Sequence, residues 1–377
     1  MSNCHPIVLV HGMFGWGPSE LAGFPYWGHG TRVPCAVPRF LASVGPISSV
    51  HDRACELACQ IRGGRVDYGE AHAYAAGHAR HGRAHPGFHA GWSSGKPVHL
   101  VGHSLGAPTI WMLQHLLHID YFGWGSAADW IRSITCVSGC LNGSTATYFL
   151  GCNERTGLLD DGSMGYYLAG AIELMASATG TLFDGIYDLD LDHWGVETRS
   201  QPEPVPSYLS RVARSPMFHD RDNCAYSVTL QGMREQNSMC RTHGSTFYFS
   251  YATRQTFTGF LTGHHRPHPR MNPFIIPTGL YIGRKVFDEP PYPGFVASDW
   301  WPNDGLIPTY SQMFPRTAGD HPSIEGIGAR TGYEPGVWHW ELLDGLDHID
   351  IVALPQLDQI GFQKRFYMQL YERLAAL

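Results

Sequence analysis

Apolar residues gather into short runs that predict five strands: Pro6–Val10, Val98–Val101, Ile131–Val137, Thr246–Tyr251 and Val337–Leu343. The first is an unbroken apolar run, as expected for a parallel strand covered on both faces. Helical patterns fall at Arg53–Gln60, Pro108–Leu117, Tyr166–Ser177 and Gln359–Leu374. Strands separated by helices in this order predict an α/β fold around a mostly parallel sheet. Two stretches break the alternation, roughly 50–90, rich in His and Gly, and roughly 140–240. They predict insertions over the sheet's carboxyl edge, within one domain spanning 1–377. From Pro267 to Asp304 the density of Pro and Gly predicts irregular structure.

Composition narrows this picture. The chain is 43% hydrophobic, enough for a sizeable interior, and only 16% charged. A net charge of −7 with no basic run argues against a nucleic-acid partner. No stretch approaches the roughly 18–20 uninterrupted apolar residues of a membrane span. The opening "MSNCHPIVLV" enters a strand without the features of a signal peptide. That start implies a cytoplasmic protein if Met1 is native, or an exported one whose signal has been removed. Nine cysteines, an odd number without compact spacing, are expected mainly as buried thiols. Asn142-Gly143-Ser144 is a glycosylation sequon, a weak pointer to export.

Two segments match Gly-x-Ser-x-Gly: Gly91-Trp92-Ser93-Ser94-Gly95 and Gly102-His103-Ser104-Leu105-Gly106. The second follows an apolar strand and opens a helix, which is the context of a nucleophile elbow. Ser93 precedes the strand and is followed by Lys96-Pro97, which suits a loop. A nucleophilic serine needs an imidazole base held by a carboxylate, in the chain order Ser, acid, His. Of the 22 histidines, His348 in "LLDGLDHIDIVAL" lies between the last strand and the last helix. Asp304 in "WWPNDGLIPT" is the expected acid; Asp347 ranks second, and Asp299 and Asp344 also compete. The oxyanion hole is expected from the backbone N–H of Leu105 and from Met13 in "HGMFGWG", after the first strand.

Taken with "VLVHGMFGWG", "YWGHG", "DRACE", "GGRVDYGEAHA", "GHARHGR", "IYDLDLDHWG", "LTGHHRPHPRMN" and "LDHIDI", these motifs make the chain resemble the zinc-containing thermoalkalophilic bacterial lipases. The resemblance runs from about Ile7 to the C-terminal helix and is weakest at 140–180. It implies an α/β-hydrolase fold with a helical lid and a zinc-binding insertion, secretion, and a triad of Ser104, Asp304 and His348. It also implies a structural zinc on Asp52, His72, His78 and a fourth ligand. Ser227 stands where that fourth, an aspartate, is expected, with Asp222 and Cys224 as nearby substitutes. His72 and His78 lie six apart, so a helix carrying both must break near Gly77. The alternative is an ordinary histidine-rich loop that also includes His81, His85 and His89. A calcium ion is implied at Asp350, although Pro355 occupies a second ligand position and Asp358 is the nearest replacement. Leu105 and Met13 stand where the family usually has Gln and Phe, and "SGCLNGS" from Ser138 replaces a Thr-Pro segment. "GSMGYYLAGAIELMASATG" is apolar around most of its circumference, as a lid or a buried helix would be.

The expected function is therefore carboxylic ester hydrolysis, as a triacylglycerol lipase whose partner is an ester or lipid substrate. A short-chain esterase or polyesterase with an open pocket is the alternative enzyme. A non-catalytic lipid-binding protein is the alternative class.

Overall fold

The computed structural model describes residues 4–160, 163, 188–200, 203–328, 332–353 and 355–377. In chain order the strands are β1 (Ile7–Val10), β2 (Arg39–Ala42), β3 (Gly64–Asp67), β4 (His81–His85), β5 (Val98–His103), β6 (Ile131–Val137), β7 (Phe247–Arg254), β8 (Thr256–Thr258), β9 (His265–Pro267), β10 (Ser323–Glu325) and β11 (Trp338–Asp344). Seven form one sheet in the order β10-β11-β7-β6-β5-β1-β2, and every pairing in it is parallel. All five expected strands are present, within a few residues at either end. The short edge strands β2 and β10 carry no periodic signal and were not expected.

Parallel neighbours need crossovers, and two of the crossover helices lie side by side. Helix α1 (Val50–Arg62) precedes β5 and packs against α3 (Gly106–His118), which follows β5. Ser49 caps α1 by accepting the Asp52 amide. The four residues of β1 and the six of β5 are all buried, so both faces of the sheet's centre are covered. From β1 the chain goes one way, to β2; from β5 it goes the other way, to β6. The carboxyl ends of β1 and β5 therefore flank a topological switch point, where sheets of this kind open a crevice for ligand.

The extra structure expected near 50–90 starts after α1. It is an antiparallel ribbon of β3 and β4 with helix α2 (Glu70–Ala76) between them. The stretch expected to be irregular holds one α-helix, Ile276–Ile282, and two short 3-10 helices, Pro273–Ile275 and Ala297–Trp300; Pro277 sits in the first turn of the α-helix, where no N–H is required. The helix expected at Tyr166–Ser177, with the lid reading it carried, lies outside the described residues. All nine cysteines are free thiols and seven are buried. Among the described residues no helix is long and apolar enough to cross a membrane.

Candidate active site and metal centre

β5 ends at His103 and α3 begins at Gly106, so two residues make the whole turn. Ser104 takes the left-handed conformation, φ +56°, which costs a residue with a side chain on the order of 1 kcal/mol. Its amide is held by Val137 O at 3.1 Å. The flanking glycines are forced by close approach. A Cβ at Gly102 would lie 2.4 Å from Gly106 O, and one at Gly106 would lie 2.2 Å from Val10 O. Ser93 instead sits in a small loop, its Oγ donating to Gly91 O at 3.2 Å.

Of the four candidate acids, Asp304 is the one that meets His348. Its Oδ2 accepts from His348 Nδ1 at 2.8 Å, and its backbone carbonyl accepts the His348 amide at 2.9 Å. Asp299 is exposed, Asp344 pairs with Arg254, and Asp347 accepts the amides of Asn272 and Ile349. Asp304 is completely buried, and its charge is met by donors on both oxygens. Thr253 Oγ1 (2.8 Å) and Gln312 Nε2 (3.1 Å) donate to Oδ2, while the amides of Leu306 (3.0 Å) and Ile307 (2.8 Å) donate to Oδ1. A carboxylate so saturated is held in one orientation.

A second chain of hydrogen bonds fixes the loop carrying His348. The Gly12 amide donates to the Tyr26 hydroxyl (2.8 Å), which donates to His103 Nδ1 (2.6 Å); His103 Nε2 then donates to His348 O (3.2 Å). Burial, then the neighbouring His348, hold the His103 pKa far below its usual value, which fits a neutral ring donating on one side and accepting on the other.

Ser104, His348, Met13 and Leu105 line one cavity, otherwise walled mainly by apolar side chains such as Phe14, Leu150, Val228, Phe274, Ile275 and Ile307. Among the described residues neither the Met13 N–H nor the Leu105 N–H has an acceptor. Two backbone donors are thus left open at the wall that carries Ser104. The strand end beneath Met13 is clamped by Arg53, a wholly buried guanidinium on α1 that donates to His11 O (2.5 Å), Gly45 O (2.6 Å) and Thr109 Oγ1 (3.0 Å).

Asp52, His72 and His78 converge elsewhere, and the fourth member of their cluster is Asp222. This corrects the expectation of Ser227, whose Oγ is occupied by Asn223 O (2.8 Å) and the Val50 amide (3.2 Å). The helix break needed between the two histidines is present: α2 ends at Gly77, φ +82°. His72 Nε2 lies 3.1 Å from Asp52 Oδ1 and 3.3 Å from Asp222 Oδ1, and His78 Nε2 lies 3.2 Å from Asp222 Oδ2. Burial pulls the His72 pKa down, but hydrogen bonds to Asp222 and Asp52 outweigh it and carry it up to about 10. His78 donates from Nδ1 to Ala79 O, which leaves Nε2 to face the carboxylates. That Nε2 and Asp222 Oδ2 are both buried without a hydrogen-bond partner among the described residues. Two imidazoles and two carboxylates whose orphaned atoms point at one another suit a bound cation. His193, which the sequence reading did not single out, joins this group by placing Nε2 3.1 Å from Asp52 Oδ2.

At the expected calcium position, Asp350 accepts the amides of Asp347 and Gln356 and the Gln356 side chain. Asp358 is paired with Arg270. Asp52, His72, His78 and Asp222 form the one group of three or more metal-ligating side chains found among the described residues. Sequence reasoning also missed Thr253, Gln312, Tyr26 and His103 as supports of the Asp304–His348 pair. Tyr26 lies in the "YWGHG" motif that the sequence reading quoted, whereas Thr253 and Gln312 carry no such signal.

Residues 3–376 match the family model described as lipase-like, C-terminal domain. Lipase 2 of Staphylococcus aureus is 30% identical over 94% of the chain, and the chain spans about half (51%) of that relative's length. Among solved structures, EstA from Clostridium botulinum is 31% identical with a TM-score of 0.84, covering all of this chain and 88% of its own. Lipase 1 from Pelosinus fermentans is 30% identical with a TM-score of 0.79, and both chains are covered in full.

Proposed function

The chain belongs to the lipase-like C-terminal domain family, and from that premise we propose that it is a carboxylic ester hydrolase acting on lipid esters. The observation that carries this reading is one apolar cavity lined both by Ser104, in its strained turn, and by His348, whose imidazole is anchored on Asp304. Ser104 Oγ attacks the ester carbonyl while His348 Nε2 takes its proton; the same nitrogen then returns the proton to the leaving alkoxide. Asp304 fixes the imidazole through Nδ1 and stabilises the imidazolium without itself being protonated. The open N–H groups of Met13 and Leu105 receive the oxyanion. Water activated by His348 then releases the acyl group. The apolar lining favours a substrate with a hydrocarbon acyl chain.

The metal reading is zinc on Asp52, His72, His78 and Asp222, a four-donor set of the kind that ion takes in closed structural sites. Asp52, His72, His78 and Asp222 would hold the ion between α1, the ribbon beyond it and the segment before Cys224, where it would supply stability and not proton transfer. Calcium at Asp350 has less behind it, because that carboxylate already has donors and Asp358 is engaged, so only zinc is carried forward. Export goes with this reading, through the likeness to secreted lipases.

One experiment tests the assignment. A fluorophosphonate probe should label the protein once and label a Ser104→Ala variant not at all, with loss of p-nitrophenyl butyrate turnover in that variant. Undiminished labelling or turnover in Ser104→Ala would remove the mechanism. Turnover measured across acyl chains of increasing length separates a lipase from a short-chain esterase.

A further inference from the structure

Strands β8 and β9 form a two-stranded ribbon that leaves the carboxyl end of β7 after a single residue, Gln255. Its loop, Gly259 to His264, is closed on itself. The Gly259 amide donates to His264 O (2.7 Å), the Gly263 amide to Gly259 O (3.0 Å), and Gly263 takes φ +71°. On this defined turn stand Phe260, fully exposed at 101%, and Leu261, exposed at 88%. Phe257, on the ribbon below, is half exposed and lies directly across from Arg266. Large apolar side chains held wholly in water on a closed turn gain nothing for the fold, and such exposure marks a contact surface.

The charge around the tip says which surface. From Arg254 to Phe287 the sequence has no Asp or Glu, yet it contains Arg254, Arg266, Arg270, Arg284 and Lys285, in a chain whose net charge is −7. Arg254, Arg270 and Lys285 are paired with acids from elsewhere. Arg266 is exposed and has no carboxylate partner among the described residues. Apolar residues at a tip with an unpaired cation one step behind them match a layered partner, hydrocarbon within and negative charge at its face.

The base of the ribbon is joined to the candidate site. The Gln255 amide donates to Asn303 O and the Asn303 amide to Thr256 Oγ1, both at 3.0 Å, one residue before Asp304. The His265 amide donates to Gly283 O (2.8 Å), at the end of the helix Ile276–Ile282, and Phe274 and Ile275 just before that helix line the cavity. We propose that the β8–β9 hairpin is an interfacial anchor, inserting Phe260 and Leu261 into a lipid surface bearing anionic head groups, with Arg266 at head-group level. The inference rests on the reading of the cavity as a lipid-ester hydrolase and adds how that cavity is brought to its substrate.

Vesicle sedimentation tests it independently of catalysis. The full chain should sediment with phosphatidylglycerol vesicles more than with phosphatidylcholine vesicles. A Phe260→Ser/Leu261→Ser variant should bind phosphatidylglycerol at least fivefold more weakly, and should hydrolyse emulsified triglyceride several-fold more slowly while keeping wild-type turnover of dissolved p-nitrophenyl butyrate. Arg266→Glu should lower binding to phosphatidylglycerol and leave binding to phosphatidylcholine unchanged. Should the double variant lose its thermal transition, Leu261→Ser alone carries the same readouts. Absence of wild-type binding, unchanged binding in the tip variants, or a shift in oligomeric state on substituting the tip would each overturn the anchor, the last by assigning the tip to a second copy of the chain. Vesicle binding without any ester turnover would leave the anchor standing and remove the hydrolase.

Discussion

Two clusters of aspartate and histidine lie in this molecule, and they are built on opposite principles. At Asp304 and His348, one carboxylate faces one imidazole, and every remaining acceptor site on the carboxylate is met by protein donors from Thr253, Gln312, Leu306 and Ile307. At Asp52 and Asp222, two carboxylates face His72, His78 and His193, and among the described residues buried atoms on His78 and Asp222 lack hydrogen-bond partners. The first arrangement is complete as protein. The second gathers two carboxylates and several imidazole nitrogens within reach of one another, an arrangement compatible with a bound cation. Residue type alone does not distinguish a proton relay from a ligand set; the saturation of the carboxylates does.

The sharpest way to break this contrast is Asp304→Asn. If the carboxylate serves to orient and stabilise the imidazolium, kcat for p-nitrophenyl butyrate should fall by roughly 10⁴-fold, with a thermal midpoint changed far less than the rate. A loss under tenfold would place Asp304 outside the mechanism. Next in size is the metal. Dialysis against a strong chelator, or Asp222→Asn, should leave the initial rate at 25 °C within about twofold but lower the thermal midpoint by several degrees, since an ion at 100 times its Kd contributes about 2.7 kcal/mol. A rate that falls as it does in Asp304→Asn would mean that both clusters serve the chemistry.

Thr253→Val sharpens the claim about saturation. The substitution keeps shape and removes one donor from Asp304 Oδ2, so kcat should drop about tenfold through about 1–2 kcal/mol of misplaced charge. No change would show that the remaining donors suffice. The smallest effect concerns an imidazole outside both clusters. His99 on β5 is buried, its Nδ1 beside Ser133 Oγ at 2.7 Å, and burial, then His5 and Arg132, push its pKa down from 6.5 to about 3. The unfolded chain therefore takes up this proton first. The stabilisation is present above pH 6.5 and is lost as pH falls toward 3, by on the order of 1 kcal/mol per pH unit. His99→Gln should shrink the drop in urea midpoint between pH 7.5 and pH 5; an unchanged drop would show that His99 is not the source.

What was legible in the sequence follows the same division. The five sheet strands that carry long apolar runs were readable, because a strand buried on both faces has no other pattern to show. Ser104 and His348 could be singled out because the roles proposed for them demand a particular order of strand, turn and helix. Asp222 was visible only as a substitute for Ser227, alongside Cys224. Spacing along the chain fixes an approximate place but not which side chain turns inward, and in this fold Ser227 turns to its own helix's N-cap, Asn223. His193 lay in the quoted "IYDLDLDHWG" motif, yet its contact with Asp52 spans 141 positions and leaves no local trace. Thr253 and Gln312 are ordinary polar residues on a strand and in a short helix; their value comes wholly from the partner that folding brings to them. The expected lid falls outside the described residues.

Asp52 and Arg53 are consecutive on α1, one turned to the cluster of histidines and the other to the carbonyl of His11. A redesign that replaces the four side chains of that cluster with an apolar plug must therefore hold this pair of α-carbons where they are, or the guanidinium loses its grip on the loop that carries Met13. Redesigning that cluster is a backbone-registration problem first and a packing problem second.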